Sequence, residues 1–177
     1  MMKDLFEAIR ERRSERHFKS DPVPDDVVKF IVECGLKAPS AGNIQPWRFL
    51  IVKRPELRAD LAKAALGQKF VEDAPVVIAV LADPGRSAGT YGDRGYGLYS
   101  IQDTAAAVQN MLLAVVAFGL GACWVGAFDE QAVSKALGLP GHLRPVAMIP
   151  IGYPKERPKP RRPRVERPWD EVVEILE

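Results

Sequence analysis

The sequence predicts an α+β fold in which helices pack around one central sheet. Helical and strand-like segments mix along the chain without the strict strand–helix–strand alternation of a parallel sheet. The run from Val76 to Leu81 is apolar at every position, which is typical of a strand covered on both faces. With 177 residues, 47% of them hydrophobic and 27% charged, the chain is expected to form a single domain with a sizeable core.

The helices and strands of the first half of the chain are predicted from hydrophobic periodicity and from the prolines and glycines that end them. Leu5, Phe6 and Ile9 share one face of an amphipathic N-terminal helix, and Asp25 is expected to cap the second helix after two prolines. The expected elements are a helix over 4–13, a helix from 25 to about 35, a small-residue loop over 38–46, a strand over 48–52, a helix over 55–66 and the strand over 76–81.

The second half begins with a Gly-, Asp- and Tyr-rich stretch over residues 83–99, which we expect to be a long loop. Such loops are unusual in compact domains and are frequently functional, so this one is either a lid with aromatic side chains or a plain surface loop. The expected elements after it are a long apolar helix over 101–118, a strand over 122–126, a helix capped by Asp129 and ending at Leu137, a strand over 144–151 and a short amphipathic piece over 169–176.

Composition excludes several classes of protein. A net charge of +2 does not favour binding to nucleic acid or to an anionic membrane. The two cysteines have no metal-binding spacing, and the two histidines stand apart from them, so we expect no metal site. The N-terminus lacks the apolar core of a signal peptide, which together with two cysteines in predicted buried, apolar segments favours a cytoplasmic location.

Arginines are concentrated at the end of the first predicted helix. Arg12, Arg13, Ser14 and Arg16 place three guanidinium groups and a hydroxyl within five positions. Guanidinium groups match the oxygens of a phosphate, so the cluster favours a specific dianion ligand. Taken alone, a solvated basic helix end explains the same pattern.

The C-terminal tail is the second basic segment. Residues 155–167 contain seven Lys/Arg and two Glu with interleaved prolines, which predicts an extended segment. It is either a solubilising tail, a nucleic-acid-binding arm or a strand laid beside the Arg-rich cluster, where it would complete a phosphate site. No Walker A, GxSxG or correctly placed GxGxxG motif occurs. The chain is thus rich in side chains that can donate hydrogen bonds to an anion and poor in acid–base groups. This combination suits an enzyme whose cofactor carries the chemistry.

Five segments in order make the chain resemble the FMN-dependent nitroreductase family. They are Arg12–Phe18, Ala38–Trp47, the helix 102–120, the run Gly119–Gly126 and Pro150–Pro154 with its basic tail. The resemblance implies a central, mostly antiparallel sheet flanked by helices and an intertwined homodimer with two FMN sites at its interface. It also implies an FMN-binding domain over 1–154 and an extension over 155–177 that wraps the partner subunit.

The resemblance assigns roles to particular residues. Arg12 and Ser14 would bind the FMN phosphate, with Arg13 close by and with Lys159 and Arg161 added from the tail, where Arg162 is an equal candidate. Arg16 would stand beside the N1/O2 edge of the flavin and stabilise its reduced, anionic form.

Two further groups of residues complete the implied site. Pro39, Ser40 and Asn43 would reach the flavin from the partner chain and pack along the flavin and its ribityl chain; the alternative is a plain helix-terminating loop. Gln68 would contact the pyrimidine edge of the flavin. Trp124, Val125 and Gly126 would pass along its face, with backbone N–H groups near N5 and O4, where a glycine allows close approach.

The implied activity is hydride transfer from NADH or NADPH through flavin N5 to a nitroaromatic, quinone or similar small acceptor in a ping-pong cycle. No side-chain base is required. The alternatives are a flavin- or nucleotide-binding carrier or sensor without turnover, and a specialised reaction of the family such as flavin fragmentation or reductive dehalogenation.

Overall fold

The computed structural model describes residues 3–155 and 165–176. The helices are α1 (Leu5–Glu11), α2 (Asp25–Leu36), α3 (Pro55–Ala64), α4 (Phe70–Asp73), α5 (Pro84–Arg94), α6 (Ser100–Ala117), α7 (Glu130–Leu137) and α8 (Trp169–Val172). The strands are β1 (Trp47–Val52), β2 (Val76–Ala82), β3 (Gly121–Ala122) and β4 (Arg144–Gly152). A 3₁₀ turn covers Ala41–Asn43, and a π-helical turn at Gly95–Tyr99 joins α5 to α6.

The four strands form one antiparallel sheet in the order β1-β2-β4-β3. Trp47 of β1 pairs with Ala82 of β2, and Gly121 of β3 pairs with Gly152 of β4. All seven residues of β2 are buried, as the uninterrupted apolar run predicts. The expected α+β class, with a mostly antiparallel sheet flanked by helices, is therefore confirmed.

The core has two layers because alternate residues of β2 point to opposite faces of the sheet. Ile78 packs with α2 and α6 on one face, and Val77 packs with α3 and α7 on the other. Ile31 of α2 and Leu61 of α3 are fully buried, one in each layer. Each such side chain contributes roughly 1.5–3 kcal/mol when it leaves water.

The expected loop over residues 83–99 is wrong, because α5 and the π-helical turn occupy this stretch. The Asp83 side chain caps α5 by accepting from the backbone N–H of Arg86 at 3.1 Å, and Pro84 stands at the first helical turn. Gly92, with φ 54° and ψ −142°, kinks the helix. Five glycines conceal the helical signal in the sequence, and tertiary packing provides the stability that propensity does not.

Other boundaries differ in smaller ways. The Asp129 cap of α7 is confirmed, since its carboxylate accepts from the N–H groups of Gln131 and Ala132. Asp25 is the first residue of α2 rather than its cap, and it faces the positive end of the helix dipole. The strand expected over 122–126 is reduced to β3 and an isolated bridge between Val125 and Met148.

Two apolar surfaces are left uncovered within a single chain. Leu5, Phe6 and Ile9 are 59%, 69% and 52% exposed, so the apolar face of α1 points away from the core. The C-terminal segment 169–176 also leaves apolar side chains uncovered, since Trp169 and Leu176 are 72% and 87% exposed. Within the described parts of the chain, no helix is both long and apolar enough to cross a bilayer.

Candidate functional site

The segment Arg12–Phe18, which we call the Arg-rich strip, is extended and is fixed on both sides by backbone hydrogen bonds. Ser14 forms a parallel bridge with Ala122 of β3, and the N–H of Glu15 donates to the Ala122 carbonyl at 2.8 Å. On the other side, the N–H of Lys155 donates to the carbonyl of His17 at 2.9 Å. The strip therefore lies between β3 and the chain that leaves β4.

Glu15 anchors this strip from inside. It is 3% exposed, and its Oε1 accepts from the backbone N–H groups of Arg16 at 2.9 Å and His17 at 3.0 Å. Gly121 makes room for it, because a Cβ at Gly121 would lie 2.7 Å from Glu15 Cγ. The sequence analysis missed Glu15 as a site residue; a carboxylate among arginines is the signal that could have identified it.

The anchored strip presents its cationic side chains outward. Arg12 is half-buried, whereas Arg13, Ser14 and Arg16 are exposed. Among the described residues, no carboxylate oxygen lies within 4.0 Å of these three guanidinium groups. The pKa of Glu11 is lowered mainly by Lys3 and only weakly by Arg13. The positive charge of the strip is thus available to an external anion.

The aromatic ring of Phe70 lies beside Arg16. The guanidinium carbon of Arg16 lies 5.6 Å from the ring centroid of Phe70, a cation–π arrangement. Gln68, two residues earlier, donates from Nε2 to the carbonyl of Ala127 at 3.2 Å. The turn before α4 therefore joins the Arg-rich strip to the chain after β3. Phe70 was also missed, because only the fold brings it to Arg16.

The Trp124–Gly126 run follows β3, the strand with which the Arg-rich strip pairs. Val125 is buried, and its N–H and carbonyl both pair with Met148 at 2.9 Å, so its main chain is committed to the sheet. Trp124 is 41% exposed. Among the residues that the structure describes beyond its chain neighbours, a Cβ at Gly126 would meet only Trp124 Nε1, at 3.9 Å. The open surface at Gly126 leaves space for a ligand to approach the main chain closely.

The segment from Pro39 to Pro46, which we call the 39–46 loop, has a fixed and unusual backbone. Gly42, Asn43 and Gln45 all have positive φ, at 55°, 54° and 53°. The N–H of Gln45 donates to Ser40 Oγ at 3.0 Å, and its Nε2 donates to Asn43 Oδ1 at 2.9 Å. The Asn43 amide is thereby oriented with its nitrogen directed away from Gln45.

The 39–46 loop is attached to α5 and α6 and not to the Arg-rich strip. Arg86 Nε donates to the Ile44 carbonyl at 2.7 Å, and the Ala41 N–H donates to Asp103 Oδ1 at 3.1 Å. Tyr91 lies against Gly42, where an added Cβ would be 2.6 Å from its hydroxyl. Among the described residues, no hydrogen bond joins this loop to the strip. A single chain thus holds two separate groups of predicted site residues.

Lys159 and Arg161 lie outside the described residues, as does Arg162. The described chain reaches Lys155, whose backbone is bonded to His17. The basic tail therefore begins beside the Arg-rich strip, as the prediction of a shared phosphate site requires.

Comparisons with known proteins find similar sequences and structures over most of the chain. The chain is 33% identical to a protein of Thermus thermophilus named NADH dehydrogenase, over 89% of this chain and 90% of that one. It is also 33% identical to a 5,6-dimethylbenzimidazole synthase of Rhodospirillum rubrum, over 82% and 79% of the two chains. The structure matches the NADPH:FMN oxidoreductase of Vibrio harveyi, solved with NAD+, with a TM-score of 0.85 and 28% identity over 99% of this chain and 78% of that chain.

The family model described as Nitroreductase family matches residues 9–72 and 64–153. These two matches include the Arg-rich strip, the 39–46 loop, Gln68 and the Trp124–Gly126 run. The resemblance seen in the sequence is therefore confirmed, and the chain belongs to the nitroreductase family.

Proposed function

We propose that this member of the family is an FMN-dependent oxidoreductase that uses NADH or NADPH to reduce a small acceptor such as a nitroaromatic or a quinone. The observation that carries the proposal is that Arg16 lies against the ring of Phe70, while Gln68, two residues before Phe70, donates to the carbonyl of Ala127, the residue after Gly126. In this proposal the anion-binding arginine side chains, the aromatic ring of Phe70 and the open main chain at Gly126 belong to one site.

The residues present suit FMN. A phosphate needs several donors, and Arg12 and Ser14 supply them from a strip whose three guanidinium groups have no described carboxylate oxygen within 4.0 Å. A flat ring needs an open backbone surface, and Gly126 provides it. In this proposal Arg13 supports the phosphate, and Lys159 and Arg161 join it from the tail.

When bound, FMN would accept a hydride from NADH or NADPH at N5 and pass it to the acceptor in a ping-pong cycle. The chain itself binds and orients. Arg16 would place a positive charge where negative charge develops, at the N1/O2 edge. Gln68 would contact the pyrimidine edge, and Trp124 and Gly126 would line the ring. We assign no side chain as a catalytic base.

We further propose a homodimer in which each FMN is shared by two chains. Among the described residues, the 39–46 loop shares no hydrogen bond with the strip of its own chain, and in this proposal Pro39, Ser40 and Asn43 complete the partner's site. The exposed face of α1 borders an apolar groove of about 400 Å³ formed with α2 and α6. A second copy of the chain would cover this groove, and the extension over 155–177 would wrap the partner.

The similarity to a 5,6-dimethylbenzimidazole synthase favours one second candidate, a specialised reaction such as flavin fragmentation. The test is an assay of NADH and NADPH oxidation with menadione or a nitroaromatic under anaerobic conditions, and a parallel incubation with NADH or NADPH in air that supplies dioxygen as the oxidant for ring cleavage, each followed by mass spectrometry of the flavin. Turnover with intact FMN supports the general reductase. Loss of FMN to smaller products supports the specialised reaction, and FMN binding without either result would leave a carrier or sensor.

A further inference from the structure

Asp103 is a buried carboxylate that reaches across the fold to the 39–46 loop. It lies in the first turn of α6 and is 6% exposed. Its Oδ1 accepts from the Ala41 N–H at 3.1 Å, although the two residues are 62 positions apart in sequence. The bond therefore fixes the loop to the longest helix of the domain.

The loop needs such an external contact because its backbone is strained. Asn43 and Gln45 adopt left-handed conformations, which cost non-glycine residues on the order of 1 kcal/mol or more and persist only where neighbouring structure imposes them. The internal bonds among Ser40, Asn43 and Gln45 shape the loop but do not attach it to the domain. Asp103 fixes its first half, and Arg86 fixes its second half through the Ile44 carbonyl.

Stability alone does not explain a carboxylate at this position. Asp103 Oδ2 is buried and has no hydrogen-bond partner among the described residues. Burial raises the pKa of Asp103, and the Ala41 N–H opposes this shift. A buried carboxylate with one unpaired oxygen is unfavourable, whereas an apolar side chain of similar size would carry no such penalty. The hydrogen bond from the Ala41 N–H to Asp103 Oδ1 is the interaction that offsets this penalty.

We propose that Asp103 is a positioning residue that holds the 39–46 loop in the conformation that presents Ser40 and Asn43 to FMN. The proposal rests on the proposed function in so far as it names FMN as the ligand. Asp103 acts through the loop and does not touch the cofactor. The required feature is the acceptor oxygen at Oδ1, so asparagine in its place is expected to preserve the role.

The test compares three variants of the full-length protein. Asp103→Leu removes the acceptor, Asp103→Asn keeps it, and Thr104→Val is the matched control. Thr104 is equally buried on α6, but its hydroxyl bonds only to the carbonyls of Ser100 and Ile101 within its own helix. Hydrogen exchange of the peptide 38–47 is measured in the flavin-free protein, and the FMN dissociation constant is measured by fluorescence quenching.

We expect Asp103→Leu to increase exchange of the peptide and to raise the FMN dissociation constant by roughly tenfold or more, the scale of leaving the Ala41 N–H without its acceptor. Asp103→Asn and Thr104→Val should stay within about threefold of the wild-type value. Should Asp103→Leu not fold, Ala41→Pro removes the same bond from the donor side. The extended Ser40, with ψ 150°, accommodates a following proline, and the dissociation constant should rise by a similar factor.

The proposal is overturned if Asp103→Leu, or Ala41→Pro in its place, leaves exchange and FMN affinity unchanged, or if Asp103→Asn behaves like Asp103→Leu. Failure of the proposed function is a different result, because the wild-type protein would then not bind FMN at all. In that case the exchange of the 38–47 peptide still decides whether Asp103 positions the loop.

Discussion

The backbone N–H of Lys155 donates to the carbonyl of His17 at 2.9 Å. This bond places the start of the basic tail against the Arg-rich strip, although the two segments stand at opposite ends of the sequence. The strip is in turn held to β3 through Glu15 and Ala122. Lys155, the first residue of the basic tail, is therefore held at the edge of the sheet where the Arg-rich strip lies.

The first prediction separates two arginines of the strip. Arg16→Ala should lower the flavin reduction potential and slow reduction by NAD(P)H, since one charge contact contributes roughly 1.5–3 kcal/mol. Arg12→Ala should instead raise the FMN dissociation constant, by about 10- to 100-fold. Redox titration and fluorescence binding measure the two effects.

Arg10→Ala is the matched control for both variants, because Arg10 is an exposed arginine in the last turn of α1 and lies outside the predicted site. It should leave potential and affinity unchanged. An Arg16→Ala protein with the wild-type potential and reduction rate would show that Arg16 does not stand beside the flavin.

The second prediction concerns the anchor under the strip. Gly121→Ala should lower the free energy of unfolding by roughly 1–3 kcal/mol, because the new Cβ would lie 2.7 Å from Glu15 Cγ and would displace that side chain. Flavin affinity should fall as well, since Glu15 holds the backbone of Arg16. Urea denaturation and FMN binding measure the two losses.

Gly89→Ala is the corresponding control in α5, where an added Cβ meets nothing within 4 Å. It should be neutral or stabilising by up to about 1 kcal/mol. Equal stability of Gly121→Ala and the wild type would mean that Glu15 does not pack against β3 as described.

Sequence predicts the elements of this fold better than it predicts the site. The Asp129 cap and the buried β2 strand are local or uniformly apolar signals, and both were read correctly. Helix α5 was missed because its glycines weaken propensity, whereas its contacts with the 39–46 loop are tertiary.

Candidate site residues can be predicted from sequence where a motif carries them, but not where only the fold brings them together. The Arg-rich strip is recognisable from its spacing. Phe70 and Asp103 are not, since each acquires its role through a partner far away in sequence, Arg16 and Ala41 respectively. No periodicity or local pattern records such a contact.

The third prediction uses the buried carboxylate of α6. Burial raises the pKa of Asp103 in the folded protein, so its contribution to stability is fully present at low pH and is lost as pH rises through the folded-state pKa. Asparagine stays neutral at every pH. The melting temperature of Asp103→Asn minus that of the wild type should therefore increase as pH rises from about 4 to 7. A difference that stays constant, or shrinks, over this range would refute the raised pKa.

The fourth prediction concerns assembly. The protein should be a homodimer by light scattering, and deletion of residues 155–177 should weaken both the dimer and FMN retention. Phe6→Glu should also favour the monomer, because Phe6 is 69% exposed on the uncovered face of α1. Leu66→Asn is the control, since Leu66 is 75% exposed elsewhere and has a left-handed backbone that asparagine tolerates. A monomer that retains FMN fully would contradict the shared site.

The most direct test of the central claim is the visible absorption spectrum of the purified protein, reconstituted with FMN and titrated anaerobically with NADH and with NADPH. We predict flavin bands that remain with the protein through gel filtration, disappear on addition of at least one of the two nucleotides and return when a quinone is added. A protein without flavin bands after reconstitution, or with bands that neither nucleotide bleaches, would contradict the assignment of this chain as an FMN-dependent oxidoreductase.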